Sequence, residues 1–152
     1  MVGSAAFLLP AMVPGLLSGW RLAPGWPVTL RVLGFGLAVF GLVVLLACFV
    51  QFVVEGRGTP APVAPTEALV VRGIYRYVRN PMYLAVGAMI AGQALALPSL
   101  GVLLWLVVFA LAVVGFVVAY EQPTLRATYG AAYDAYCRAV PGWWPRFTRW
   151  RG

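Results

Sequence analysis

The chain has 152 residues, 62% of them hydrophobic and 10% charged, with a mean hydropathy of +0.89. A soluble domain is roughly a quarter charged, so water is not its main solvent, and the length suits one compact unit. The net charge of +7 comes from eleven arginines and no lysine against Glu55, Glu67, Glu121 and Asp134; with no histidine and only two cysteines, a zinc, haem or non-haem iron site is not expected.

The first apolar segment covers residues 4–19, with Pro10 and Pro14 expected to bend it. No positive charge or small-residue cleavage site precedes Arg21, so it reads as a span and not as a signal peptide. The second, residues 32–54, is uncharged, and Gly34, Gly36 and Gly41 offer points of close helix packing. A loop over residues 55–81 follows. Its proline-rich stretch, 59–65, reads as an extended linker. The third segment, 82–97, is short and holds Gly87, Gly92 and Gln93. Pro98 and Ser99 leave almost no loop before the fourth, 100–120, so these two form an antiparallel hairpin.

In the tail, residues 121–152, the segment 124–140 reads as one amphipathic surface helix. Leu125, Tyr129, Ala132, Tyr133 and Tyr136 share one side of it. Trp143, Trp144, Phe147 and Trp150, mixed with arginines, read as an interfacial anchor. The expected fold is therefore all-α: one polytopic membrane domain of about four transmembrane helices, with an amphipathic C-terminal helix covering a site at the cytosolic face.

Orientation follows from the arginines. Arg57, Arg72, Arg76, Arg79, Arg126, Arg138, Arg146, Arg149 and Arg151 share one side, with Arg21 and Arg31 opposite. The positive-inside rule makes the richer side cytoplasmic. Because these arginines flank apolar segments, the expected partner is the lipid bilayer and not nucleic acid. Gln51 and Gln93 are polar residues that so short a bundle would need to shield, which leaves an oligomer open.

A hairpin returns its second end to the side where the first began. Arg72, Tyr75, Arg76, Tyr77, Arg79, Asn80 and Tyr83 are thereby brought towards Glu121 and Arg126. Guanidinium forks suit carboxylates or phosphates, and tyrosine faces suit flat rings or cations. Glu121 suits an ammonium. The set fits a zwitterionic ligand carrying an aromatic base. The plainer alternative is that the arginines anchor headgroups and the tyrosines form an aromatic belt.

The run Gly73-x-Tyr75-x-x-x-Arg79-Asn80-Pro81-x-Tyr83 resembles the Arg-His-Pro-x-Tyr signature of the isoprenylcysteine carboxyl methyltransferase and phospholipid methyltransferase superfamily. Glu121-Gln122-x-x-Leu125, then Tyr129-Gly130-x-x-Tyr133-x-x-Tyr136 and Val140-Pro141, resembles that family's downstream block. The likeness covers residues 69–147. It implies an integral-membrane enzyme that uses S-adenosyl-L-methionine at the cytosolic face and takes a lipophilic small-molecule substrate from the bilayer. It further implies a multi-pass protein of a bacterial or archaeal cytoplasmic membrane. Carried over, Tyr75, Arg79, Asn80, Pro81, Tyr83, Glu121, Tyr133 and Tyr136 would bind the cofactor. Glu121 and Arg126 would be catalytic, with Arg126 orienting an acidic acceptor.

Two positions depart from the pattern. Asn80 stands for the family histidine and Gln122 for the second glutamate. Asparagine can hydrogen-bond but cannot shuttle a proton. Both changes favour an acceptor that is already anionic, a carboxylate or thiolate. The competing expectations are a membrane reductase with a nicotinamide cofactor and a non-catalytic scaffold or carrier.

Overall fold

A computed structural model describes residues 2–19, 24–56, 69, 71–148 and 150. The linker at 59–65, and Arg21, Arg57, Glu67, Arg149 and Arg151, lie outside the described residues. Among the described residues every regular element is helical. They are α1 (Val2–Ser18), α2 (Val28–Gly56), α3 (Pro81–Ala96), α4 (Leu100–Phe116), α5 (Gln122–Tyr129) and α6 (Ala131–Ala139). A 3₁₀ turn (Gly73–Arg76) precedes α3, and a π turn (Val117–Glu121) joins α4 to α5.

Two helical stretches, Val28–Gln51 and the continuous Leu100–Tyr129, are long and apolar enough to cross a bilayer. Their large side chains point outward: Leu33, Phe40, Val43 and Val50 on one, Leu104, Val108 and Leu111 on the other. So much exposed apolar surface belongs against lipid and not against water. The apolar helix α3 has 16 residues, or about 24 Å at the helical rise, which is shorter than a ~30 Å hydrocarbon core.

The chief neighbour of α3 is α2, with α1 and α4 alongside. The expected hairpin partner α4 is thus a lesser contact. The reason is the small residues. A Cβ added at Gly34 would meet the Gly92 carbonyl at 2.5 Å and the Ala96 nitrogen at 2.7 Å, and one at Gly41 would meet the Ala85 carbonyl at 2.6 Å. Gly92 in turn abuts the backbone of Gly34 and Ala38. The two backbones touch, which in an apolar medium gives dispersion contacts that bulky side chains would prevent. Gly36, expected to share this role, faces open space.

Several polar groups inside the bundle find partners within the chain. Pro14 has no N–H to donate to the carbonyl of Pro10, four residues back, and the Trp105 indole N–H takes that acceptor at 2.9 Å. The Gln93 amide donates to the carbonyls of Ala11 (2.7 Å) and Met89 (3.2 Å). Gln51 accepts the Ile74 N–H at 3.3 Å. The Gln93 Oε1 is buried without a hydrogen-bond partner. Around Leu45, Cys48, Met82, Val86 and Ile90 the core is apolar.

The tail differs from the single helix expected. It breaks at Gly130, whose φ of +52° favours glycine, so α5 and α6 are separate. Meanwhile α5 continues α4 through the π turn and does not start afresh after Pro123. Proline at the second position of α5 cannot donate to Ala119, and the chain shifts register so that the Gln122 N–H reaches Val117 instead.

Candidate functional site

The polar residues gather where the C-terminal end of α2, the N-terminal end of α3 and the π turn come together. Gly73 starts the arrangement. Its φ is +52°, and a Cβ there would collide with the Gln51 side chain. Glycine alone lets the 3₁₀ turn lie against α2, and this sets Tyr75 inward and buried.

The carboxylate arrives from the other side. The π turn carries Glu121 to the base of α3, where the Tyr83 hydroxyl donates to its Oε2 at 2.9 Å. π turns are common at functional sites because the extra residue re-aims a side chain. Tyr75 lies within electrostatic reach of both Glu121 and Tyr83, and also of Tyr136. The Tyr136 hydroxyl donates to the Tyr75 carbonyl at 2.6 Å.

Arg79 forms the opposite flank. Its Nη1 donates to the Cys137 Sγ at 2.8 Å, and Tyr133 sits against the same pair. The Arg79 Nε is buried without a partner. A Cβ at Gly142 would stand 3.3 Å from Arg79 Nη2 and 3.6 Å from the Asn80 amide nitrogen. Gly142 therefore packs closely against Arg79 and Asn80, where a larger residue would crowd the guanidinium, and the Arg79 Nε–H is left unused. Burial holds the Tyr75, Tyr133 and Tyr136 phenols above their ordinary value, so they remain protonated donors at neutral pH.

The frame around this flank is the tail. The Arg79 and Asn80 N–H groups donate to the carbonyls of Pro141 (3.0 Å) and Gly142 (3.2 Å). The Arg146 and Trp150 N–H groups donate back to Tyr77 (3.0 Å) and Arg76 (3.2 Å). Trp150 packs on Tyr136 with ring centroids 5.5 Å apart. The Arg146 guanidinium holds the Ala139 carbonyl at the end of α6. Two of the expected interfacial anchors are thus internal fasteners.

Tyr75, Arg79, Asn80, Pro81, Tyr83, Glu121, Tyr133 and Tyr136 are brought into one neighbourhood. Arg126 is not. The helix break at Gly130 folds α6 back so that Asp134 meets Arg126 at 2.8 Å in an exposed ion pair. A continuous tail helix would have aimed Arg126 differently. Cys137 and Gly142 were missed as site residues. Cys137 could have been found, since it stands one turn after Tyr133 on the same helical face. Gly142 follows Val140-Pro141 without a motif of its own.

The sequence model of the phospholipid methyltransferase family matches residues 29–132. That span takes in the whole of α3, α4 and α5, nearly all of α2, and the first two residues of α6, more than half of the chain. The protein belongs to this family, within the superfamily of membrane methyltransferases to which the isoprenylcysteine carboxyl methyltransferases also belong. The match reaches further towards the N-terminus than the two motifs do, into α2, and ends just before Tyr133. No curated protein and no solved structure matches the chain.

Proposed function

We propose that this membrane methyltransferase uses S-adenosyl-L-methionine to methylate a lipophilic acceptor that is already anionic, a carboxylate or a thiolate. The observation that carries the reading is the pairing of two opposite charges in one tyrosine-lined cluster, Arg79 with a buried unused N–H and Glu121 held by Tyr83. They fit the two charged ends of an amino-acid moiety: the guanidinium would take its carboxylate and Glu121 its ammonium. When bound, the cofactor supplies a methyl group on a positively charged sulfur, an electrophile that needs no further activation.

The residues then have to hold the reacting atoms in line and keep water out. Tyr133 and Tyr136, both buried, close the Arg79 side. Asn80 can hydrogen-bond but cannot accept a proton at neutral pH, and histidine is absent. An acceptor that must first lose a proton would depend on Glu121, which the proposed ammonium occupies. An anionic acceptor avoids that conflict. Its hydrocarbon part would approach from the exposed apolar flanks of α2 and α4.

The same reading takes α1, α2, α3 and α4 as four spans, with the site at the cytoplasmic face of a bacterial or archaeal membrane. Nine arginines against two support that orientation. Cysteine at exposed Ala127 should react with an impermeant reagent from the cytoplasmic side and cysteine at Pro24 only from outside, relative to the unsubstituted chain. The reverse pattern would overturn the topology.

Calorimetry of the detergent-solubilised protein with S-adenosylhomocysteine tests the cofactor. Binding is expected, and Glu121→Ala should weaken it by about 2–5 kcal/mol as a buried charge pair is broken. Binding of NADPH in its place would make the protein a reductase, and binding of neither would make it a scaffold.

A further inference from the structure

The four tail aromatics do not behave alike. Trp150 packs inward on Tyr136 and Trp143 is half-buried, whereas Trp144 is 81% exposed and Phe147 fully exposed. Two large aromatic rings standing free in water would be costly. They are not on a loose end. The Gly142 carbonyl on one side and the Arg146 and Trp150 N–H groups on the other are bonded to residues 76–80. The backbone presents these rings outward.

Depth decides what they meet. The segment to which the tail is tied is fastened to α2 at Gln51 through the Ile74 N–H, and α2 runs on five residues further, to Gly56. At the helical rise that is about 7.5 Å of helix beyond the attachment point. Val50, Val53 and Val54, around and beyond Gln51, are exposed. The tail is therefore tied at the height of the last apolar turns of a helix long enough to cross a bilayer, not above them. Exposed Arg72 and Arg138 lie in the elements the tail joins, as expected at the level of anionic headgroups.

We propose that Trp144 and Phe147 insert into the headgroup–acyl boundary of the bilayer, so that the lipid surface is the partner of this segment. Aromatic side chains with an apolar body and, in Trp144, one N–H donor are suited to that layer. The contact braces the stretch whose Pro141 and Gly142 carbonyls hold Arg79 and Asn80. The segment that holds Arg79 and Asn80 is then a membrane-bound strap.

The test uses the full chain in vesicles of phosphatidylcholine brominated on the acyl chains, and reads fluorescence, which is independent of turnover. The emission lost in Trp144→Phe, obtained by difference from the parent, should be quenched by the brominated lipid and insensitive to acrylamide. Phe147→Trp in the Trp144→Phe background should behave in the same way. Because both side chains are exposed, neither change removes a packing contact. Emission that acrylamide quenches and brominated lipid leaves untouched, at both positions, would overturn the proposal and leave this edge free for a water-borne protein partner. Failure here would not touch the methyltransferase reading, which stands on Arg79 and Glu121.

Discussion

The α2–α3 contact and the polar end beneath the tail are built on opposite principles. In the first, side chains are removed: Gly34, Gly41 and Gly92 let two backbones touch. In the second, side chains meet through hydrogen bonds, Tyr83 to Glu121 and Arg79 to Cys137, and leave an unused N–H on Arg79. The packed contact leaves no room for a side chain at any of the three glycines. The polar end has spare valence, which a ligand can use. On the function proposed above, stability and binding fall to different stretches of the same helix, with Pro81 and Tyr83 on one side of the division and Ala85 on the other.

The comparison breaks most easily at Gly92. Gly92→Val would drive a branched side chain into the backbone of Gly34 and Ala38, neither of which can swing away. The loss should reach about 3 kcal/mol, the upper end of ordinary overpacking costs, and show as a lower melting temperature in detergent. Tyr83→Phe removes the donor to Glu121 without changing volume. It should cost about 1.5–3 kcal/mol, the range for a hydrogen bond to a charged acceptor. S-adenosylhomocysteine should stabilise this variant as long as Glu121 remains free to bind it.

Smaller effects sharpen the contrast. Gly36 belongs to the same apolar helix as Gly34 but faces open space, so Gly36→Ala should change stability by less than about 0.5 kcal/mol, or add a little by favouring helix. Arg126→Ala should leave both melting and turnover at the parent level, because its ion pair with Asp134 is exposed. A large fall in turnover would return Arg126 to the site.

Much of this was legible before any coordinates. Pro98 and Ser99 mark the turn between α3 and α4 by composition, and the spacing of the two motifs brings Tyr83 and Glu121 to the same end. What escaped was register. Nothing in an apolar run tells a π turn from an α turn, although Pro123 carried the clue, since its missing N–H strands a carbonyl four residues earlier. Gly130 falls inside the segment 124–140, whose tyrosine spacing suits one continuous helix. Its positive φ comes from the fold, as α6 turns to bury Tyr133 and Tyr136. The choice of α2 over α4 as the partner of α3 was hidden for a different reason. Glycines advertise close approach without naming the neighbour, so Gly36 and Gly34 looked alike.

The bond from the Trp105 indole to the Pro10 carbonyl bears on how the protein is made. Synthesis delivers α1 long before α4, so the bare carbonyl created by Pro14 waits for its donor through the making of more than half the chain. In hydrocarbon an unpaired carbonyl costs several kcal/mol. On the four-span reading proposed above, the first helix should therefore reach its final position last, after the C-terminal half has been inserted. A ribosome stalled before Trp105 should hold a chain whose N-terminal helix is still unsettled.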